Sequence, residues 1–278
     1  MFTLNCKGKI LTINTPIVMG IINATPDSFY EGYLNLSMDE IVQLAEKMIE
    51  DGATILDIGG QSTRPNSEKL TWEEEAKRVL PVIEALHKKF PTVILSIDTY
   101  YHQVAELAIE AGCSIINDVS AGNLDNEMLF TAGKLKVPYI AMHMQGAPQN
   151  MQNNPEYSDV SKELLDFFTE KINQCEQAKI HDIIIDPGFG FGKTTVHNFK
   201  LLKDLNIFSI LKKPILAGLS RKGMIHKTLG ITAKEALNGT TALNMLALQN
   251  GANILRVHDV KEAMEAILLF NTYKNAAL

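Results

Sequence analysis

Residues 59–66 read GGQSTRPN and follow the apolar run TILDI, so the chain leaves a buried-looking stretch and at once presents glycines, an amide, hydroxyls and an arginine closed by a proline. Such a loop is too polar to pack into a core. Other apolar runs also end in polar residues: Asn23, Asp57, Asp98, Asn117 with Asp118, His143, Asp186, Ser220 with Arg221 and Lys222, and Arg256 with His258. Strand-to-helix turns favour Asp, Asn and Ser as caps, but Arg256, His258 and Lys222 are not cap residues. Asn23, Ser62, Thr63, Arg64, Arg256 and His258 together offer the hydroxyl, amide and cationic donors that suit a phosphate or diphosphate. Asp98, Asn117 and Asp186 form an acidic set able to accept N–H groups from a flat heterocycle with an amidine-like edge, and Lys222 can donate to its carbonyl side.

Elements must bring these residues together. Short apolar runs recur at 16–22, 53–58, 92–98, 113–118, 137–143, 182–186, 214–220 and 253–257, most of them continuously apolar, as strands buried on both faces of a parallel sheet are. Helix-period segments lie between them. SMDEIVQLAEKMIEDG has Ser37 and Glu40 in capping-box register and Gly52 as a stop, and WEEEAKRVLPVIEALHKKF, HQVAELAIEAG, KELLDFFTEKINQCEQAKI and KEALNGTTALNMLALQNG follow the same period. Eight strands alternating with helices predict a single (β/α)8 TIM barrel, one domain over residues 1–278, whose strand ends converge on one rim.

Composition agrees with one large core: 278 residues, 46% of them hydrophobic. A net charge of -6 argues against non-specific nucleic-acid binding while leaving room for a locally basic pocket. Cys6, Cys113 and Cys175 are far apart and lack metal-ligand spacing, which predicts reduced thiols, and no stretch approaches the ~18 to 20 apolar residues of a membrane span. A cytoplasmic protein with no membrane or nucleic-acid partner is the expectation.

Five ordered motifs, NATPDSF (23–29), GGQSTRP (59–65), DPGFGFGK (186–193), SRK (220–222) and RVHDV (256–260), resemble the dihydropteroate synthase family of pterin-binding enzymes. The resemblance runs from about Val18 to Val260. It implies a barrel, a homodimer, Mg2+, and condensation of 6-hydroxymethyl-7,8-dihydropterin diphosphate with 4-aminobenzoate in folate biosynthesis. By the same resemblance Asp186, Asn117, Asp98 and Lys222 hold the pterin, Thr63, Arg256 and His258 the diphosphate, and Asn23 the metal. Phe191 is a candidate wall for an aromatic ring. Asp27, Glu31, Arg64 and Lys222 take the catalytic roles, and NATPDSFYEG and GGQSTRPN look like two mobile loops over the reacting atoms.

Three positions depart from the family pattern: Gln61 where Glu is common, Glu31 where Asp is common, and Gly223 where Ser is frequent. His143 in MHMQG reads as strand-end packing rather than a metal ligand. GFGFGK lacks the spacing of a phosphate-binding P-loop and reads as a flexible cover, and WEEEAKR reads as a solvated helix face. A folate-binding methyltransferase barrel would share the pterin pocket without using the diphosphate donors, and a silent pterin-binding paralogue would have lost a loop or Lys222.

Overall fold

A computed structural model describes residues 1–24, 36–61, 69–146, 151 and 155–276. The chain opens with a hairpin that the sequence reading did not foresee, β1 (Phe2–Cys6) antiparallel to β2 (Lys9–Ile13). Lys7 and Gly8 turn it, both at positive φ (55° and 91°), the backbone that a two-residue hairpin turn requires. Its signal was the alternation of Leu4 and Cys6 against Leu11 and Ile13, all buried, around a Lys-Gly pair.

Each of the eight apolar runs forms a strand: β3 (Ile17–Asn23), β4 (Ile55–Gly59), β5 (Ile94–Asp98), β6 (Ile115–Asp118), β7 (Tyr139–Met142), β8 (Ile183–Asp186), β9 (Leu216–Ala217) and β10 (Ile254–Val257). They pair in parallel in the order β8-β7-β6-β5-β4-β3-β10-β9, and a single bridge between Ile185 and Ile215 brings the two ends together. The result is the expected TIM barrel.

Side chains alternate along each strand, so the barrel has two cores. Val18, Ile22, Leu56, Ile58, Leu95, Ile97 and their equivalents point outward under the helices. Met19, Ile55, Ile94, Ile115, Ile140, Ile184, Leu216 and Ile254 point inward, one from each strand, and the apolar face of the hairpin closes them off. This inner layer is the floor on which the polar rim rests.

The surrounding helices are α1 (Met38–Glu50), α2 (Trp72–Lys89), α3 (His102–Ala111), α4 (Met128–Leu135), α5 (Val160–Gln177), α6 (Thr195–Lys203), α7 (Gly223–Leu229), α8 (Leu237–Gln249) and α9 (Val260–Asn275). Ser37 and Glu40 form the expected capping box of α1, and Gly52 ends it at φ 104°. In α2 the expectation of a solvated charged face fails at Glu75, which is fully buried. Glu75 is the fourth residue of the helix, on the same side as buried Val79 and Ile83, and its Oε2 accepts a 3.1 Å hydrogen bond from the Thr99 hydroxyl just beyond β5.

Burial lifts the Glu75 carboxyl to about 8; the Thr99 bond opposes this shift and nearby Asp98 adds to it. An acid whose pKa is raised on folding stabilises the folded state below its unfolded pKa and withdraws that contribution as pH climbs through the folded value. Unfolding free energy should therefore fall between about pH 4.5 and 8, by on the order of 1 kcal/mol per pH unit from this group. Urea titrations across that window should show a flatter profile for Glu75→Gln than for the wild type; parallel profiles would place the Glu75 titration elsewhere.

Candidate functional site

Stepping two residues along each strand from the apolar inner layer reaches the next inward-facing position, and on five of the eight strands the chemistry changes there, β3, β7 and β9 continuing with Ile21, Met142 and Gly218. Ile55 leads to Asp57, Ile94 to Ser96 and then Asp98, Ile115 to Asn117, Ile184 to Asp186, and Ile254 to Arg256. The predicted rim is thus a polar layer standing directly on an apolar one, at the C-terminal ends of the strands.

Arg256 is its centre. Its Nε donates to Asp57 Oδ2 at 2.7 Å and one terminal nitrogen donates to Asp98 Oδ2 at 2.5 Å, while Asn117 Nδ2 donates to the same Asp57 oxygen at 2.9 Å. Burial alone would weaken the hold of Arg256 on its proton, but Asp57 and Asp98 raise its pKa above the ordinary arginine value, so it stays a cation. Asp98 is pushed up by burial, with Arg256 opposing. Two of the five guanidinium N–H groups are committed to carboxylates, which leaves three for an incoming acceptor. Asp57 is the member of this cluster to which sequence reasoning gave no role, although its place two residues beyond Ile55 was the available signal.

Asp186 and Lys222 form the other side. Asp186 Oδ1 accepts the Gly188 N–H at 2.8 Å, so Oδ2 stays open to a ligand. Burial raises its pKa, and Lys222 opposes that shift. Burial lowers Lys222 to about 8, with Asp186 the main opposing influence. The Lys222 amino group donates to the Phe189 carbonyl and lies 4.8 Å from the centre of the Phe191 ring. Phe191 packs against Tyr100, Val119 and Met142 beside the pocket.

The glycine-rich segment after β8 is not the loose cover expected. Lys193 is buried beneath it, and Gly188 and Gly192 hold positive φ (67° and 59°) where a Cβ would lie 2.0 Å from the His143 carbonyl and 2.4 Å from that of Gln145. Tyr157 takes the Gly192 carbonyl at 2.8 Å, and Asn198 of α6 accepts the Gly190 N–H at 2.7 Å. Glycine here permits close packing rather than freedom. His143 is packed as expected, edge-on to Phe167.

The third wall follows β9 and β10. The Ser220 hydroxyl accepts the His258 N–H at 3.3 Å and lies 3.0 Å from Nδ1 of the same residue. Burial, reinforced by Arg256, lowers His258 to about 4, so the ring is neutral near pH 7; in the tautomer that accepts the Ser220 hydroxyl on Nδ1, Nε2–H is its outward donor. Arg221 sits at φ 55° and turns away from the pocket, binding both Asp259 oxygens at 2.9 and 2.8 Å and thereby tying the SRK turn to the turn after β10. Gly223 begins α7, and a side chain there would meet only ordinary contacts with His226 and Lys227. Gln61 Oε1 accepts the Leu70 N–H at 2.9 Å, a role a carboxylate oxygen could also fill.

Asn23 ends β3 opposite Gly59, beside Asp57's strand. Among the described residues no three His, Cys, Asp or Glu side chains form a group able to hold a metal ion. Asp27, Glu31, Thr63, Arg64 and the two expected mobile loops beyond Ala24 and Gln61 lie outside the described residues. The rest of the expected site, Asn23, Asp98, Asn117, Asp186, Phe191, Lys222, Arg256 and His258, stands at the C-terminal ends of the strands or in the turns that follow them.

Residues 19–258 match the family model described as pterin binding enzyme. The chain is 42% identical over 275 residues to the dihydropteroate synthase of Haemophilus influenzae, covering 98% of this chain and 99% of that protein. Among solved structures, the Yersinia pestis dihydropteroate synthase in a sulfonamide drug complex superposes with a TM-score of 0.95 at 40% identity, covering 99% and 100% of the two chains. The Xanthomonas albilineans enzyme with 4-aminobenzoic acid gives 0.91 at 40% identity, covering 99% of each.

The Arg256 cluster carries a test of its own. Removing one partner of a buried ion pair leaves the other uncompensated, at a cost of roughly 3 kcal/mol. Because Asp98 still faces Arg256, Asp57→Asn should lower stability by less than that, roughly 1 to 2 kcal/mol in chemical denaturation, and since Arg256→Met strips both Asp57 and Asp98 of their partner, the Asp57→Asn, Arg256→Met double variant should lose less than the sum of the two single losses. A double variant whose loss equals that sum would mean that the two side chains do not share their energetics.

Proposed function

The chain belongs to the pterin-binding enzyme family and, within it, to the dihydropteroate synthases, and from that premise we propose how its residues divide the work of a transferase of folate biosynthesis. The reaction joins 6-hydroxymethyl-7,8-dihydropterin diphosphate to 4-aminobenzoate. The carbon–oxygen bond to diphosphate breaks, the aniline nitrogen bonds to the exocyclic methylene and loses a proton, and 7,8-dihydropteroate and diphosphate leave. The observation that carries the assignment of roles is the polar layer itself, in which Asp98, Asn117, Asp186 and Arg256 share one inner face with Lys222 beside them.

Asp186 accepts two N–H groups of the amino-pyrimidine edge, one on each oxygen, the Gly188 N–H taking the other lone pair of Oδ1, while Lys222 donates to the carbonyl side. Asn117 and Asp98 serve the remaining ring nitrogens. The donors left on Arg256 and the Nε2–H of His258 face the diphosphate, and the family likeness gives Thr63 the same ligand. The leaving group is already good and the pterin ring delocalises positive charge, so the protein's contribution is electrostatic and positional rather than nucleophilic. The pocket carboxylates favour a cationic pterin, and Asp27, Glu31 and Arg64 take the further catalytic roles that the family likeness gives them.

A Mg2+ ion that binds a diphosphate takes most of its ligands from phosphate and water, so one amide oxygen from Asn23 suits it where no larger cluster of protein ligands is present among the described residues. When bound, the ion would offset charge developing on the diphosphate. Val196 of α6, Leu229 of α7, Leu246 of α8 and Leu268, Leu269 and Tyr273 of α9 are exposed apolar residues on successive helices. They support a homodimer, which sedimentation at about twice 30.8 kDa would bear out and a single-chain mass would end. Buried, unpaired Cys6, Cys113 and Cys175 favour the cytoplasm, and among the described residues no helix is long and apolar enough to cross a membrane. Likeness to a sulfonamide-bound relative makes sulfonamides expected competitors of 4-aminobenzoate.

Diphosphate release that requires both 4-aminobenzoate and the pterin diphosphate is the decisive assay, and release independent of 4-aminobenzoate would defeat the assignment. Gly223 offers a finer test. The space around it admits a serine, whose hydroxyl adds one hydrogen bond to the aminobenzoate carboxylate, worth roughly 1 kcal/mol or several-fold in affinity. Gly223→Ser should lower the KM for 4-aminobenzoate and leave that for the pterin unchanged; an unchanged or higher aminobenzoate KM would place the carboxylate elsewhere.

A further inference from the structure

Lys193 closes the glycine-rich segment and has no place in the chemistry described so far. Its amino group is buried and lies 3.0 Å from the Gly188 carbonyl, 3.0 Å from the Phe191 carbonyl, 3.0 Å from His143 Nδ1 and 3.3 Å from the His143 carbonyl. Four acceptors thus surround a group with at most three N–H bonds to give. His143 suits its part. Burial, with Lys193 adding to the effect, takes the imidazole down to about 2, so the ring is neutral and its Nδ1 lone pair faces Lys193.

Two of the residues so held belong to the pocket. Gly188 is fixed at both of its polar groups, its N–H on Asp186 and its carbonyl on Lys193. It has no side chain, and its backbone packs against the same His143 carbonyl that Lys193 binds. Phe191 is held by its carbonyl, with its ring against Tyr100, Val119 and Met142 and beneath Lys222. A buried amine is costly, and the acceptors gathered on it would be left unpaired without it, so the lysine holds this segment in the one arrangement that satisfies them.

We propose that Lys193 is a positioning residue of the pterin subsite: by holding Gly188, Phe191 and His143 together from beneath, its amino group sets the orientation of the Asp186 carboxylate and the height of the Phe191 ring. The inference rests on the dihydropteroate synthase reading above. It requires that the lysine touch no substrate and that its loss be felt through Asp186 and Phe191.

The test pairs Lys193→Met, which keeps length and removes the hydrogen bonds, with His143→Leu and His143→Asn, the latter placing an amide oxygen where Nδ1 stands. Folding is followed by circular dichroism and thermal unfolding, and titration with 6-hydroxymethyl-7,8-dihydropterin diphosphate and Mg2+ is compared with the KM for 4-aminobenzoate at saturating pterin. Folded Lys193→Met should bind the pterin diphosphate about tenfold or more weakly. His143→Leu should lose several-fold and His143→Asn should recover most of that loss, while the aminobenzoate KM changes by less than about threefold. A folded Lys193→Met with wild-type pterin affinity overturns the proposal, as does a lower melting temperature with both constants unchanged. Should Lys193→Met not fold, equal pterin affinities for His143→Leu and wild type overturn it instead. A wild-type protein that neither binds the pterin diphosphate nor releases diphosphate in response to 4-aminobenzoate removes the functional reading itself, a failure visible before any variant is made.

Discussion

The site depends on one pairing, the guanidinium of Arg256 held between the carboxylates of Asp57 and Asp98. Above a barrel layer that is wholly apolar, burial pushes a carboxylate toward its protonated form and makes a lone guanidinium costly. Held between Asp57 and Asp98, the Arg256 guanidinium stays charged, and it opposes the rise that burial imposes on Asp98. The pairing also sets the shape of the cavity, because Asn117 joins the same Asp57 oxygen and strands β4, β5, β6 and β10 become linked through their side chains as well as their backbones. Around it, Asp186 faces Lys222, and behind the pocket Arg221 faces Asp259, while Lys193 is satisfied by carbonyls and an imidazole alone.

The architecture was legible in the sequence because strands buried on both faces must be apolar without interruption, and eight such runs separated by helical periods admit few arrangements. The rim was legible because the runs ended in residues that a core would not tolerate. Local pattern could not supply the choice of partners. Arg256 finds Asp57 199 residues earlier in the chain, and no spacing in the sequence announces that meeting. Glu75 looked like one more charge in an acidic helix start, and only its side of the helix, against Thr99, takes it out of water. Lys193 misled in the same way, since a lysine after a run of glycines reads as a loop residue until the loop is found folded around it. The hairpin at the start was passed over because its four inward residues are too few to register as a run, although their alternation was plain.

The walls of the pocket differ in how they are fixed. Asp57, Asp98 and Asn117 stand on strands joined by continuous parallel ladders, so their separation is set by the sheet. Lys222 and His258 stand in turns, and there side chains replace the ladder: Arg221 clamps Asp259, and Ser220 meets His258 at both its backbone and its ring. Arg221 holds a left-handed backbone to do so, a conformation that costs a residue with a side chain about 1 kcal/mol or more and persists where its surroundings enforce it.

The barrel's closure has a mechanical side. Between β8 and β9 the sheet is joined by the lone Ile185–Ile215 bridge, while the other neighbouring strands are laced by two to five residue pairs. Asp186 lies on one bank of that seam and Lys222 on the other. A heterocycle gripped by both, as proposed, would act as a rivet across that seam, so the energy of holding the ring would also be energy that stiffens the barrel. Binding and closure of the wall would then draw on the same bonds.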